Sequence, residues 1–195
     1  TVPLCQNSNV AIDAGSGFDT YLWSTGATSQ TITVADAGSY SVTVTQNHGN
    51  TICSETKNFT VFLSNAATIS KIETQDWTDN ENVIVVALAD TSLGNYEYSL
   101  DGITYQDSNT FSDLISGDYT VYVRDKNGCG TINQEVFILN YPKYFTPNAD
   151  GYNDTWAVKF SASEPTINTK IFDRYGKFIK ELSATSAWDG TFNGH

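Results

Sequence analysis

The chain has 195 residues with 10 basic and 22 acidic side chains, a net charge of −12; 39% are apolar, 13% aromatic and only 16% charged. The apolar share is enough to build cores, which excludes wholesale disorder, and the shortage of basic residues argues against nucleic acid and anionic membrane surfaces, both of which require a basic face. The polar surface is built from 25 Thr and 18 Ser, and the longest apolar run, Val83 to Ala89, is far short of the roughly 20 residues of a membrane-spanning helix.

In chain order, Gln30–Val34, Tyr40–Val44 and Phe59–Leu63 alternate β-branched or aromatic residues with polar ones, a period of two that predicts half-buried antiparallel strands. The run Val83–Leu88 predicts a central strand with protein on both faces, and Tyr119–Val123 another alternating strand. Asp101-Gly102, Asn127-Gly128 and Asp189-Gly190 predict turns. No segment carries a 3.6-residue apolar stripe, so the fold class is all-β. Gly38–Val44 returns as Gly117–Val123, Tyr21–Ser24 as Tyr96–Ser99 and Cys53 as Cys129, each about 75 to 79 residues further on, which predicts two homologous modules. Boundaries near Ser64-Asn65 and near Asn140 divide the chain into 1–63, 64–140 and 141–195. The start at Thr1 without an initiator Met suggests a fragment of a longer protein.

In the first module, Asp36-Ala37-Gly38-Ser39-Tyr40-Ser41-Val42 resembles the D-x-G-x-Y-x-C stretch of immunoglobulin domains, with Val42 in place of Cys. The resemblance implies a Tyr40 hydroxyl bonded back to nearby backbone and Trp23 as the core tryptophan. It also implies that no inter-sheet disulfide forms at position 42. Cys5 and Cys53 lie near the two ends of this module and Cys129 has no partner in its own, so a Cys5–Cys53 disulfide is expected. In the second module, Tyr98–Gly102, Tyr105-Gln106, Phe111, Leu114, Gly117–Val121 and Arg124–Cys129 resemble the repeats of large surface adhesins of the Bacteroidetes, with Leu114 and Tyr119 as core residues.

The third segment carries three ordered motifs. Tyr144–Trp156, Ile171-Phe172-Asp173-Arg174-Tyr175-Gly176-Lys177 and Trp188-Asp189-Gly190-Thr191-Phe192-Asn193-Gly194 resemble, in order, those of the gliding-motility-associated C-terminal domain, the type B sorting domain of the type IX secretion system. Ala149 stands where that family has Gly, and the family continues with a final pair of strands beyond the position of His195. The fold expected is therefore a tandem of immunoglobulin-like antiparallel β-sandwiches, the last one incomplete.

Catalytic chemistry has little to draw on. His48 lies in the polar stretch Asn47–Asn50, His195 is the last residue, and neither a G-x-S-x-G elbow nor a phosphate or dinucleotide loop is present. The chain is read as a non-enzyme without an organic cofactor. Asn148, Asp150, Asn153 and Asp154 leave two readings open. Alternating oxygen ligands before a Gly suit calcium, with Asn148, Asp150 and Asp154 as ligands, yet position 159 is Lys where a distal Glu would close the shell. The same residues also suit paired Asx turns after Pro147. Trp23, Trp156 and Trp188 are expected in cores, whereas Trp77, without alternating apolar neighbours, is the candidate exposed ring. Lys170, Arg174, Lys177 and Lys180 hold four of the ten basic residues within a short stretch and are candidate partner-binding charges.

These features point to the C-terminal region of a secreted cell-surface adhesin or gliding-associated protein, exported through its sorting domain. The resemblance implies recognition by the type IX translocon, a PorV-type shuttle and a PorP/SprF-type outer-membrane barrel; the aromatic residues add a surface glycan as a candidate ligand. The alternative is a carbohydrate-binding accessory region of a secreted multidomain hydrolase.

Overall fold

The computed structural model describes residues 1–49, 51–163 and 166–192, whose regular elements are β-strands apart from one 3-10 turn at Ser161–Ser163. Six strands form the N-terminal sandwich: β1 (Val2–Cys5), β2 (Val10–Asp13), β3 (Thr20–Trp23), β4 (Thr31–Val34), β5 (Gly38–His48) and β6 (Thr51–Ser64). One sheet runs β1-β6-β5-β3, and β2 pairs with β4 in the other. Alternation decides the faces. In β4, Thr31-Ile32-Thr33-Val34 puts Ile32 and Val34 inside and both threonines out. Leu4, Ile12, Trp23, Val42, Val44 and Val61 complete that core.

The immunoglobulin-like features expected of this module are present. Trp23 is 2% exposed and sits directly across from Val42, which is fully buried where the disulfide cysteine would stand. The Tyr40 hydroxyl donates to the Asp36 carbonyl at 2.9 Å, the corner that ties the start of β5 to the preceding loop. β1 runs parallel to the end of β6, pairing Val2 with Val61 and Cys5 with Ser64.

Six further strands follow: β7 (Ile69–Gln75), β8 (Asn82–Leu88), β9 (Tyr96–Ser99), β10 (Thr110–Leu114), β11 (Gly117–Asp125) and β12 (Thr131–Ile138), in sheets ordered β10-β8-β7 and β12-β11-β9. β8 is central in its sheet; its Asn82, Ile84 and Val86 are buried, while Val83 and Val85 on the other face are half-buried. Tyr119 repeats the corner of Tyr40, its hydroxyl donating to the Ile115 carbonyl at 2.9 Å, and both Leu114 and Tyr119 are half-buried. Gly102 and Gly128 take positive φ in the expected turns. Last come β13 (Asn168–Phe172) and β14 (Phe178–Ser183), an antiparallel pair.

The chain divides into two compact units, one of residues 1–68, 88–97 and 123–132, the other of residues 69–87, 98–122 and 133 onward. Within the first unit, the disulfide joins Cys5 to Cys129, with Cα atoms 5.3 Å apart, and Cys53 is a free, exposed thiol. This corrects the expected Cys5–Cys53 pair, and the reason is the length of β6. Cys5 is in register with Ser64 at one end of that strand; Cys53 pairs with Gln46 near the other. At about 3.3 Å per residue the two lie roughly 35 Å apart along the strand, far beyond disulfide reach.

Beside the disulfide, the Asp125 carboxylate is buried and accepts from the Ser64 hydroxyl (2.7 Å), the backbone N–H groups of Asn95 (3.1 Å), Asn127 (3.2 Å) and Cys129 (3.2 Å), and the Asn127 amide (3.2 Å). Burial alone raises its pKa, but the hydrogen bonds from Ser64, Asn127, Cys129 and Asn95 outweigh that, so the carboxyl titrates below its usual value. A Cβ on Gly94 would lie 2.6 Å from the same carboxylate, so only glycine fits there. The Asn65 side chain holds the adjoining loop, accepting from Leu93 N–H and the Tyr96 hydroxyl and donating to the Thr91 carbonyl.

Two outcomes follow. Non-reducing peptide mapping should recover one bridged pair, Cys5 with Cys129, and one alkylated thiol at Cys53; a Cys5–Cys53 peptide contradicts the structure. Asp125→Asn should lower Tm at pH 7, because several buried donors lose a charged acceptor, at about 1–3 kcal/mol for the site. A carboxyl with a depressed folded-state pKa contributes stability above its unfolded value near 3.9, and loses it as pH falls through the folded value. The Tm gap between wild type and variant should therefore be full at pH 6 and shrink below pH 4; a constant gap shows that the charge contributes nothing.

Candidate functional site

The three motifs of the C-terminal segment fold into one locality of the second unit. In the loop from Tyr144 to Trp156, Asp154 organises the backbone: Oδ1 accepts from the N–H groups of Asn148 (3.1 Å) and Ala149 (2.7 Å), and Oδ2 from Gly151 N–H (2.8 Å). Asp150 accepts from Tyr152 N–H and the Asn148 amide, in that order of influence, and these bonds lower its carboxyl pKa. The loop is thus a set of interlocked Asx turns. The oxygens of Asp150 and Asp154 that the calcium reading requires face N–H groups, and Asn148 Oδ1 accepts from Asp150 N–H. Ala149 has φ +60°, which explains the family's Gly at that position.

The Trp188-Asp189-Gly190-Thr191 turn packs under this loop. Gly190 has φ +85°, and a Cβ there would stand 3.1 Å from Pro147 and 3.2 Å from Phe145, so both conformation and space demand glycine. Trp156 and Trp188 exchange backbone hydrogen bonds, both 2.8 Å, and Phe145 lies against Trp188 with ring centroids 5.4 Å apart. Each indole N–H reaches a carbonyl, Trp156 that of Pro142 and Trp188 that of Thr191. Both rings are half-buried. They form, with Phe145, Ile171 and Phe172, an open apolar groove of about 280 Å³.

The Ile171–Lys177 motif supplies the β13–β14 hairpin. Asp173 closes its turn by accepting from Tyr175 and Lys177 N–H, with Gly176 at φ +82°. The structure does not bring the four basic side chains to one face. Lys170 is paired across the ribbon with Glu181 and Lys180 with Ile171, neighbouring positions whose side chains alternate to opposite faces. Lys177 sits 4.7 Å above the Phe192 ring and Arg174 5.3 Å from that of Tyr175. Lys180 adds a minor contribution to the lowered pKa of Asp189, whose main causes are the Thr191 N–H and hydroxyl. His48 is exposed at the end of β5; His195, Asn193 and Gly194 lie outside the described residues.

Sequence reasoning missed an aromatic row in the same unit: Trp77 lies 6.1 Å from Tyr141, and Tyr141 6.2 Å from Trp156. Only Trp77 stood out in the sequence, since the others read as motif or boundary residues.

Asp154→Ala should cost about 1–3 kcal/mol by leaving three N–H groups without their acceptor, and Ala149→Gly should gain several tenths of a kcal/mol or more by relieving the left-handed alanine. Thermal melts of the two variants check both signs.

Residues 139–195 match the family model described as CHU_C, the type IX secretion signal domain. The solved structure described as "Structure of amphioxus IgVJ-C2 molecule" is similar over 70% of this chain and 99% of that one, at 14% identity and a TM-score of 0.36. A search of curated proteins found no match. The Tyr40 corner and the buried Trp23 give the preceding β-sandwich its immunoglobulin-like features, and the C-terminal segment is a type IX secretion signal domain, a signal that marks the chain for secretion to the cell surface or exterior.

Proposed function

We propose that the chain is the C-terminal region of a cell-surface adhesin or gliding-associated protein. In this reading residues 1–140 form non-catalytic display modules and residues from 141 carry the export address, read by the type IX translocon, a PorV-type shuttle and a PorP/SprF-type barrel at the outer membrane. The observation that carries the reading is the convergence of three motifs, separate in sequence, on the Trp156–Trp188 pair. An address must present a fixed surface, and here the Asx loop, the hairpin and the W-D-G turn hold one another in place. Because Lys170 and Lys180 alternate to opposite faces, the basic residues are proposed to act through long-range charge on an acidic chain, which accelerates encounter with an acidic partner and fades with salt. The hydrolase-accessory alternative is favoured by one observation, the exposure of Trp77.

The test is a fusion of residues 141 to the native C-terminus onto a periplasmic reporter in a secretion-competent cell. Surface delivery of the folded fusion is expected; retention in the periplasm rejects the address. Replacing Lys170, Arg174, Lys177 and Lys180 with Gln should weaken capture of the barrel partner severalfold at low salt and little at high salt. Equal capture at both salt levels rejects the charge role and leaves the address standing.

A further inference from the structure

Trp77 breaks two local rules at once. It is 44% exposed, although tryptophan gains most from burial, and its φ is +77°, a left-handed conformation that a bulky side chain adopts only when its surroundings impose it. The surroundings do so on both sides. Before it, Asp76 accepts Leu139 N–H through Oδ2, while its Oδ1 is buried with no hydrogen-bond partner among the described residues. At Trp77 itself, the N–H donates to the Leu139 carbonyl at 3.2 Å. After it, the fully buried Asn82 clamps Thr78, accepting from its N–H and hydroxyl and donating to its carbonyl. Glycine at position 77 would satisfy this backbone without strain. Strain, an unpaired buried oxygen and an exposed indole in consecutive residues mark a site held against folding preference.

The neighbours give the site its chemistry. Tyr141, 37% exposed, lies with its ring centroid 6.1 Å from that of Trp77 and tilted by 44°. Lys143 sits 4.3 Å above the Tyr141 ring and within 3.5 Å of the Trp77 carbonyl. The exposed Asp79 lies beside Asn140, whose amide reaches its carboxylate at 3.4 Å. We propose that Trp77 and Tyr141 form a stacking platform for a neutral glycan. A pyranose presents C–H bonds on its ring faces and hydroxyls around its rim. A pyranose face matches the exposed Trp77 ring, with the tilted Tyr141 ring beside it, and the hydroxyls match a carboxylate acceptor at Asp79 and an ammonium donor at Lys143. Anionic sugars are disfavoured by Asp76, Asp79 and a net charge of −12. A protein partner would need an apolar surface of a larger order than two rings bounded by charges. The inference names a ligand class for the display reading, on which it rests; it does not depend on how export occurs.

The test is mobility of the purified protein in native gels cast with β-glucan, xylan or galactomannan, set against gels without polysaccharide. Retardation in at least one is expected. Trp77→Gly should abolish most of it, by tenfold or more in affinity, with Tm held within a few degrees because glycine accepts the backbone; Tyr141→Ala should weaken it, and Trp77→Phe should keep part of it. No retardation in any gel overturns the platform, as does retardation unchanged in Trp77→Gly. Retention on a phenyl-substituted resin without polysaccharide binding overturns it too, since that marks a face for an apolar protein partner. The reporter fusion lacks residue 77, so its delivery is decided independently of every one of these outcomes.

Discussion

A carboxylate in a protein interior costs several kcal/mol unless donors surround it, and at Asp125 those donors come from places far apart in the chain. Ser64 closes β6, Asn95 precedes β9, and Asn127 and Cys129 belong to the turn after β11. None of these can move without leaving the charge unsatisfied. The same turn carries Cys129 to Cys5, and the disulfide closes a sequence separation of 124 residues. On the chain-entropy account such a loop is worth about 5 kcal/mol, though commonly less in practice. The covalent bond and the hydrogen-bonded carboxylate therefore act on one place, the point where the chain leaves the first sandwich. A stretch that reads as a boundary, Ser64-Asn65, is consequently fixed by side chains on both residues.

That arrangement shows what sequence carries and what it does not. The Tyr40 corner, the core Trp23 and the alternation of β4 were legible because each depends on neighbours within a few residues or on a period of two. The repeat of Gly38–Val44 at Gly117–Val123 was legible, but Tyr119 reads there as a core residue; in the structure it is half-buried and the repeat proves to be one of hydrogen bonding, a hydroxyl reaching back four residues in both cases. The disulfide was not legible. Grouping cysteines by module treats proximity in sequence as proximity in space, and a fourteen-residue strand defeats that assumption by carrying Cys53 to its far end. Asp125 was equally hidden, since Arg124–Asn127 reads as a polar turn and nothing local says that Ser64 will meet it.

In the C-terminal segment the motifs were legible as motifs, but their chemistry had to wait for geometry. Asn148, Asp150 and Asp154 have the composition of a cation loop, and in the structure the same oxygens serve as turn acceptors. Gly151 and Ala149, both at positive φ, curl the backbone so that consecutive N–H groups converge on Asp154. Four basic residues close together in sequence read as a patch, yet a hairpin deals side chains alternately to its two faces, and Lys170 and Lys180 are parted by the register that pairs them with Glu181 and Ile171.

The four tryptophans separate by one criterion, what the backbone and the indole N–H are asked to do. Trp23 is extended, buried, and its N–H finds the Ser29 carbonyl at 2.7 Å. Trp156 and Trp188 are half-buried, extended enough to bridge each other, and their N–H groups find Pro142 and Thr191. In all three the ring lies where burial and hydrogen bonding agree, so fold stability alone accounts for the choice of residue. At Trp77 the terms oppose one another: the backbone is left-handed, and nearly half of the residue faces water. A smaller residue there would relieve the backbone and expose less apolar surface. The cost of keeping an indole at that position is carried by its neighbours, Asn82 and Leu139, whose bonds hold the turn. Burial explains three of these rings; the fourth calls for something that arrives from outside to cover it.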